Sequence, residues 1–137
     1  MRRTLCGIVL LTSALVVGGC DNDPDLPTAP TNPDPVTETF TGSINVNGAA
    51  THTFTVSIAG AVTTTLTSVT PDPAIQVSLA LGTWNGTSCQ LVLTKDDAVQ
   101  GNALTGLNSG PGTLCARISD VGKMTESLTY TIAVVHP

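Results

Sequence analysis

The chain has 137 residues, of which 41% are apolar, 11% charged and 3% aromatic, and its formal charge is −5. This length suits a single globular domain. Ten acidic residues against five basic ones argue against a protein that binds nucleic acid by neutralising phosphates. So few charged side chains also argue against an enzyme with a cluster of titratable groups.

The first 19 residues are typical of a secretory signal peptide. Arg2 and Arg3 form a basic start, and residues 5–17 form a mostly apolar run. At about 1.5 Å per residue, a helix of that length is too short to cross a hydrocarbon layer of about 30 Å. A basic start, a short apolar run and then small residues are instead the pattern of a cleaved export signal. We predict that residues 1–19 are a lipoprotein-type signal peptide and that the rest of the chain lies outside the cytoplasm.

The end of this run, Val17-Gly18-Gly19-Cys20, resembles the lipobox of bacterial lipoproteins. In that family an aliphatic residue and two small residues precede a cysteine that is lipidated before cleavage. The resemblance implies that Cys20 begins the mature chain and is held in a membrane by several acyl chains, at about 0.8 kcal/mol per buried methylene. It does not distinguish the inner membrane from the outer. The alternative is an ordinary cleaved signal peptide in which Cys20 carries no lipid.

Residues 20–38 have the composition of an acidic, proline-rich tether. Five of the nine prolines lie here, and proline at such short intervals prevents regular hydrogen bonding and favours polyproline II. At about 3.1 Å per residue, the segment can reach about 55 Å. We predict a solvated spacer between the membrane and a domain that covers residues 39–137. Its acidic residues are Asp21, Asp23, Asp25, Asp34 and Glu38.

Residues 39–137 have the alternating pattern of β-strands. Apolar and threonine-rich positions alternate with a period of two, as in half-buried antiparallel strands, and turn sequences such as Asn-Gly separate the runs. We predict an all-β domain of seven or eight strands, an antiparallel two-sheet β-sandwich with a jelly-roll-like form. Residues 95–111 lack the alternation and are predicted to form the longest loop. The alternating apolar positions are Phe40, Ile44, Val46, Phe54, Val56, Ile58, Ile75, Val77, Leu79, Leu81, Leu91, Leu93, Leu114, Ala116, Ile118, Leu128, Tyr130, Ile132 and Val134.

Two of the four cysteines are predicted to form a disulfide. Cys6 leaves with the signal peptide and Cys20 is lipidated, so Cys89 and Cys115 remain as a pair in an exported domain, where oxidation is permitted. Their bridge would close a loop of about 27 residues and contribute roughly 3.5 kcal/mol in the loop-entropy treatment. The alternation places Cys89 on the same face of its strand as the leucines that follow it, whereas it places Cys115 on the face opposite to its apolar neighbours. The bridge therefore requires Cys89 to lie in a loop ahead of its strand; two free thiols are the alternative.

Five short segments of the domain share a pattern with one family: Gly42-Ser43-Ile44, Thr53-Phe54-Thr55-Val56, Ala59-Gly60, Gly112-Thr113-Leu114-Cys115 and Tyr130-Thr131-Ile132-Ala133-Val134. Together they resemble the bacterial pre-peptidase C-terminal domain, a jelly-roll-like β-sandwich attached to secreted peptidases and other exported proteins. The resemblance implies a non-catalytic module with a binding, targeting or folding role. Acidic residues of that family are missing here at Ala50 and in Pro71-Asp72-Pro73-Ala74-Ile75, so it does not carry over calcium binding.

Trp84 and Asn85 are candidate contacts to a ligand. Trp84 is the only tryptophan and precedes an Asn-Gly turn, where it could stack on a sugar or on a partner surface. The alternative is that it packs over the end of the core.

Asp96 and Asp97 are the other candidate contacts, since with Asp120 they could gather around a hard cation. Adjacent aspartates in a loop are, however, usually only solvated. His52 and His136 lie outside any catalytic or metal-binding motif. We predict no catalytic residue, no cofactor and no metal site.

These features predict a non-catalytic, lipid-anchored β-sandwich of the bacterial cell envelope that binds an unidentified protein or glycan, and no nucleic acid. A first alternative is a carbohydrate-binding module that uses Trp84. A remote alternative is a small secreted hydrolase, which would require His52 within hydrogen-bond reach of an exposed serine or aspartate in a cleft. The sequence has neither a Gly-x-Ser-x-Gly elbow nor a phosphate-binding loop.

Overall fold

The alternation of threonine with aliphatic residues produces strands along the whole domain. The computed structural model describes residues 32–137; the predicted signal peptide, Cys20 and the rest of residues 20–31 lie outside the described residues. The described part contains eight strands, which confirms the predicted all-β class. They are β1 (Val36–Ile44), β2 (Ala49–Val56), β3 (Gly60–Thr70), β4 (Val77–Trp84), β5 (Cys89–Ala98), β6 (Ala103–Asn108), β7 (Gly112–Asp120) and β8 (Leu128–His136).

The strands form two antiparallel four-stranded sheets packed against each other, with the orders β1-β8-β3-β6 and β2-β7-β4-β5. Every connection except the β4–β5 hairpin therefore crosses from one sheet to the other. This is the arrangement of a jelly roll, an eight-stranded double sheet built from Greek keys. The predicted antiparallel sandwich is confirmed.

The core lies between the inner faces of the two sheets. One sheet contributes mainly the central strands β8 and β3, and the other contributes β4 and β7. Because the chain has few aromatic residues, aliphatic side chains fill most of this space. The largest fully buried side chain is that of Tyr130. The buried apolar side chains that pack together in this core are Ile44, Phe54, Val56, Val62, Leu66, Val69, Val77, Leu79, Leu81, Ala98, Leu114, Ala116, Ile118, Met124, Leu128, Tyr130, Ile132 and Val134.

The prediction of a long loop at residues 95–111 is wrong. β5 continues to Ala98 and β6 occupies Ala103–Asn108. Both strands lie at the edge of a sheet, and most of the side chains of β5 are at least partly exposed. An edge strand with so little buried surface has no clear apolar alternation, which is why the pattern did not reveal it.

The longest strand, β3, was also not recognised from the sequence. Thr64 occupies an inward position, fully buried, and the pairing with β8 is interrupted by a bulge between Leu66 and Ser68. A bulge adds one residue and reverses the faces of the positions that follow. Val62 and Leu66 are therefore buried on one parity and Val69 on the other, so the apolar period of two is broken.

Three boundaries differ from those predicted. Val46 and Ile58 are exposed and lie beyond the ends of β1 and β2, not in the core. β1 begins at Val36, so residues 36–38 of the predicted tether are paired with β8, where Val36 faces His136. Glu38 thus belongs to a strand and reaches a side chain of the domain.

Candidate functional site

The two lateral edges of the sandwich are filled in different ways. β1 and β2 form one edge, and β6 and β5 form the other. Aromatic and histidine rings occupy the β1–β2 edge, whereas an apolar groove opens at the β5–β6 edge. We call these the ring-filled edge and the edge groove.

The edge groove has a volume of about 410 Å³, within the range of about 300–1,000 Å³ that is common for ligand sites. Side chains of β3, β4 and β7 form its inner wall, and β5 and β6 form its two sides. None of the described residues that line it is charged. They are Val62, Leu81, Gly82, Thr83, Val92, Leu93, Thr105, Gly106, Leu107, Asn108, Ser109 and Leu114.

Large apolar side chains stand exposed along the sides of the edge groove. Leu107 of β6 is 90% exposed and Val92 of β5 is 70% exposed, one on each side of the groove. Single exposed apolar residues are normal, but exposed apolar residues on both sides of an apolar depression are typical of a binding surface.

The backbone of β6 is also available for pairing. Among the described strands β6 pairs only with β3, so its outer row of N–H and C=O groups faces solvent. Natural proteins usually protect such an edge with charged residues or proline, as the Lys95–Asp97 ion pair does in the second half of β5. The sequence of β6, Ala-Leu-Thr-Gly-Leu-Asn, contains neither.

Gly106 allows the two sides of the edge groove to approach each other at its floor. A β-carbon at this position would lie 3.0 Å from Cδ1 of Leu93 and 3.2 Å from Cδ2 of Leu81. A larger residue would have to displace these methyl groups and would occupy the floor itself, so this glycine helps to set the depth of the groove.

A bulge in β5 shapes the other side of the edge groove. Leu81 pairs with Leu93 while the next residue, Gly82, pairs with Leu91, so Val92 is an extra residue in β5. Bulges bend a strand and reverse its faces. Leu91 and Cys89 consequently lie on the outer face of the sheet, and Val92 projects into solvent beside the groove.

The predicted disulfide between Cys89 and Cys115 is present, with an S–S distance of 2.00 Å and a Cα–Cα distance of 5.8 Å. Contrary to expectation, Cys89 is the first residue of β5 and not part of a preceding loop. The bulge at Val92 removes the conflict of parity, because it places Cys89 on the same outer face as Cys115.

The disulfide crosses over strand β4. Cys115 in β7 and Leu91 in β5 both pair with Gly82 of β4, and two strands that flank a third normally lie about 9–10 Å apart. The much shorter Cα–Cα distance between the cysteines requires the start of β5 to fold across β4. Gly82 permits this, since a β-carbon there would lie 2.1 Å from the carbonyl oxygen of Gln90.

A row of four rings closes the ring-filled edge. His52 stacks on Phe40 with ring centroids 4.9 Å apart, and His136 stacks on Phe54 at 5.5 Å. Phe40 and Phe54, 6.5 Å apart, join the two pairs. Because Phe40 lies on β1 and His52 and Phe54 lie on β2, the row connects the two sheets.

His52 is bound to the phenol of Tyr130. Its Nε2 lies 2.7 Å from the Tyr130 oxygen, and Gly42 leaves room for that oxygen because a β-carbon there would lie 2.6 Å from it. Burial lowers the pKa of His52 and raises the pKa of Tyr130, so both groups are neutral near pH 7. The partner of His52 is therefore a buried phenol and not the exposed serine or aspartate that a hydrolase would require.

His136 fastens the first part of β1. Its Nε2 lies 3.0 Å from the Glu38 carboxylate, and its Nδ1 lies 3.0 Å from the main-chain oxygen of Pro137. Both partners are hydrogen-bond acceptors, so a ring nitrogen that carries a proton can donate to the one it faces. The sequence contained a signal for both histidines: His52 is in step with Phe54 and Val56, and His136 is in step with Val134.

Trp84 and Asn85 lie at the β4–β5 hairpin and do not line the edge groove, although Trp84 directly follows the lining residue Thr83. Trp84 is partly buried and pairs with Cys89 in the ladder. The side-chain oxygen of Asn85 accepts hydrogen bonds from the backbone N–H groups of Thr87 and Ser88. This Asn85 side chain therefore organises the turn.

Asp96, Asp97 and Asp120 have separate partners. Asp96 accepts a hydrogen bond of 2.7 Å from the Ser78 hydroxyl, and Asp97 is paired with Lys95 at 2.7 Å, an ion pair that lowers the pKa of Asp97. Within residues 32–137 no three His, Cys, Asp or Glu side chains come close enough together to hold a metal ion.

Asp120 instead joins two loops. Its carboxylate accepts hydrogen bonds from the backbone N–H groups of Asn47, in the β1–β2 turn, and of Gly122, Lys123 and Met124, after β7. These bonds, that of Asn47 first, lower its pKa. The sequence reasoning missed this role, although an aspartate before Val-Gly is a common turn signal.

No helix in residues 32–137 is long and apolar enough to cross a membrane. Comparison of the chain with protein families matches no family model, and comparison with curated proteins finds no match.

Proposed function

We propose that this chain is a lipid-anchored, non-catalytic binding module of the bacterial cell envelope, which takes an extended apolar segment of a protein partner in the edge groove. The lipobox-like segment that ends at Cys20 and the acidic, proline-rich stretch after it support the anchor and the tether. The jelly-roll strand order agrees with the fold that the resemblance to the pre-peptidase C-terminal domain implies. Membership of that family stays a prediction.

The chemistry of the edge groove favours a protein partner over a glycan. Its described lining contains six aliphatic side chains, three hydroxyl groups (Thr83, Thr105 and Ser109), the amide of Asn108 and no charged or aromatic group. Sugar-binding sites depend on aromatic rings that stack on the sugar, and the only tryptophan, Trp84, lies at the hairpin outside the lining. An uncharged, apolar groove of this kind gains most by covering apolar side chains, at about 25 cal/mol per Å².

The single observation that carries the proposal is the unprotected edge of β6 beside the groove. A partner segment in extended conformation can pair with the free backbone groups of β6, the mode known as β-augmentation. Its side chains on one face would then fill the groove beside Gly106, and those on the other face would cover Leu107, which pairs with the exposed Ala61 of β3 and is itself 90% exposed.

Photo-crosslinking tests this binding surface. A photoreactive residue placed at Leu107 is expected to form at least about tenfold more adduct in cells than the same residue at Val46, and a further Val92→Lys substitution is expected to abolish the excess. Val46 is the matched control, because it is an exposed apolar residue in the β1–β2 turn, far from the groove. Equal adduct formation at the two positions, or an adduct at Leu107 that Val92→Lys does not affect, would refute the groove as the binding surface.

The anchor is tested separately by a pair of cysteine substitutions. Cys20→Ser is expected to move the protein from the membrane fraction to the soluble fraction, because it removes the site of lipidation. Cys6→Ser is the control: that residue lies within the predicted signal peptide, so the variant should remain in the membrane fraction. Retention of Cys20→Ser in the membrane, or a free thiol on the first residue of the mature chain in mass spectrometry, would contradict the anchor.

A further inference from the structure

We propose that the Cys89–Cys115 disulfide is a redox-controlled clasp that holds the first residues of β5 across β4, and that its reduction opens the β5 side of the edge groove. Regulation of partner binding in this way rests on the proposed function. The opening of β5 itself can be measured without a partner.

The start of β5 has few other interactions to hold it. β5 is an edge strand whose ladder partner among the described strands is β4, and the bulge at Val92 interrupts that ladder. Gln90, Leu91 and Val92 are exposed. A segment with little buried surface and a broken ladder opens more easily than the core strands do, so the disulfide is the strongest bond that fixes residues 89–92.

The rest of β5 is held independently of the disulfide. Leu93 packs against the core and Ala98 is fully buried. Asp96 accepts the hydrogen bond from Ser78 of β4. Opening should therefore stop at the bulge, with β5 bending away between Val92 and Leu93.

The geometry also determines how the clasp is reduced. Cys115 is fully buried, whereas Cys89 is only partly buried, so a thiolate of an external dithiol attacks Sγ of Cys89. The bond between the two cysteines breaks, and Cys115 leaves as a thiolate that takes up a proton. The second thiol of the reductant then displaces Cys89 as a thiol, so that two electrons pass to the protein and the dithiol becomes a disulfide.

Reduction has a direct consequence for the edge groove. Once the bond is broken, nothing covalent holds the Gln90 carbonyl over Gly82, and residues 89–91 can move away from β4. Val92, which lines the groove, moves with them. The oxidised form, favoured outside the cytoplasm, has a complete groove, and the reduced form lacks part of one side.

Hydrogen exchange of the whole purified chain tests the clasp. Treatment of the folded protein with dithiothreitol is expected to increase amide exchange in residues 89–92 by about tenfold or more, with β3 and β8 unchanged. The fluorescence of Trp84, the ladder partner of Cys89, should change at the same rate. The double variant Cys89→Ser/Cys115→Ser should show the fast exchange without reductant and no response to dithiothreitol.

Three results would overturn the clasp. They are unchanged exchange at residues 89–92 after reduction, faster exchange spread over β3 and β8 as well, and a disulfide that dithiothreitol reduces only after the domain unfolds. Reduction of the unsubstituted chain decides the matter if the double variant does not fold. Opening of β5 without any excess of crosslinking at Leu107 in the oxidised form would refute the proposed function and leave the clasp intact.

Discussion

Replacement of Gly82 by alanine is expected to destabilise the domain by about 3 kcal/mol, at the upper end of the usual cost of overpacking. The added β-carbon would lie 2.1 Å from the carbonyl oxygen of Gln90, and both atoms involved belong to the backbone or are fixed to it. β5 would have to move off β4, against the restraint of the disulfide. Denaturant unfolding under oxidising conditions measures the loss.

A double-mutant cycle separates this effect from the general cost of a substitution in a strand. In the Cys89→Ser/Cys115→Ser background, β5 can move away, so the same Gly82→Ala change should cost only about 1 kcal/mol. Gly112→Ala is the matched control, because a β-carbon there has open space around it, and its cost should be the same with and without the disulfide. An equal cost of Gly82→Ala in both backgrounds would show that the bridge does not press β5 onto β4.

Replacement of Tyr130 by alanine is expected to destabilise the domain by about 4 kcal/mol, as for other large core side chains. The ring is fully buried on the central strand β8, and its hydroxyl binds His52. Tyr130→Phe keeps the ring and removes only that hydrogen bond, so it should cost about 1 kcal/mol. If the two variants unfold at the same denaturant concentration, the hydroxyl would be the main contribution of Tyr130 and not its ring.

The same pair of residues makes stability depend on pH. Burial lowers the pKa of His52 in the folded protein. Below the ordinary histidine pKa of about 6.5, the unfolded chain therefore binds a proton at His52 more readily than the folded protein does. The contribution of His52 is therefore complete above about pH 6.5 and is lost as the pH falls through the folded pKa. Unfolding curves between pH 8 and pH 4, compared with those of His52→Gln, measure it; an unchanged pH profile in His52→Gln would contradict this assignment.

The sequence revealed those parts of the fold that depend on local pattern. The alternation through Leu128, Tyr130, Ile132 and Val134 marks β8 because that strand has one face buried along its whole length. The cysteine pair followed from the predicted loss of two other cysteines. The geometry of the disulfide did not follow from the sequence. The face of β5 on which Cys89 lies depends on the bulge at Val92, and that bulge is set by pairing with β4.

The candidate site could not be predicted, because it depends on which strands lie at the edges. Nothing near Leu107 in the sequence distinguishes an exposed leucine on β6 from a core leucine, and only the order β1-β8-β3-β6 places it beside solvent. The roles of His52 and His136 likewise arise from contacts with residues 78 and 98 positions away. Such distant contacts leave no mark on a short window of sequence.

The strand order also separates the point where the chain enters the domain from the point where a partner would pull on it. Val36 begins β1 at one side of its sheet and β6 lies at the other, about 14 Å away at the usual spacing of strands. Tension between an immobilised N-terminus and a bound partner would then pass sideways through β8 and β3, so that three ladders bear the load in series. The first residue pairs between β1 and β8 would separate first, and the Glu38–His136 contact opposes that separation.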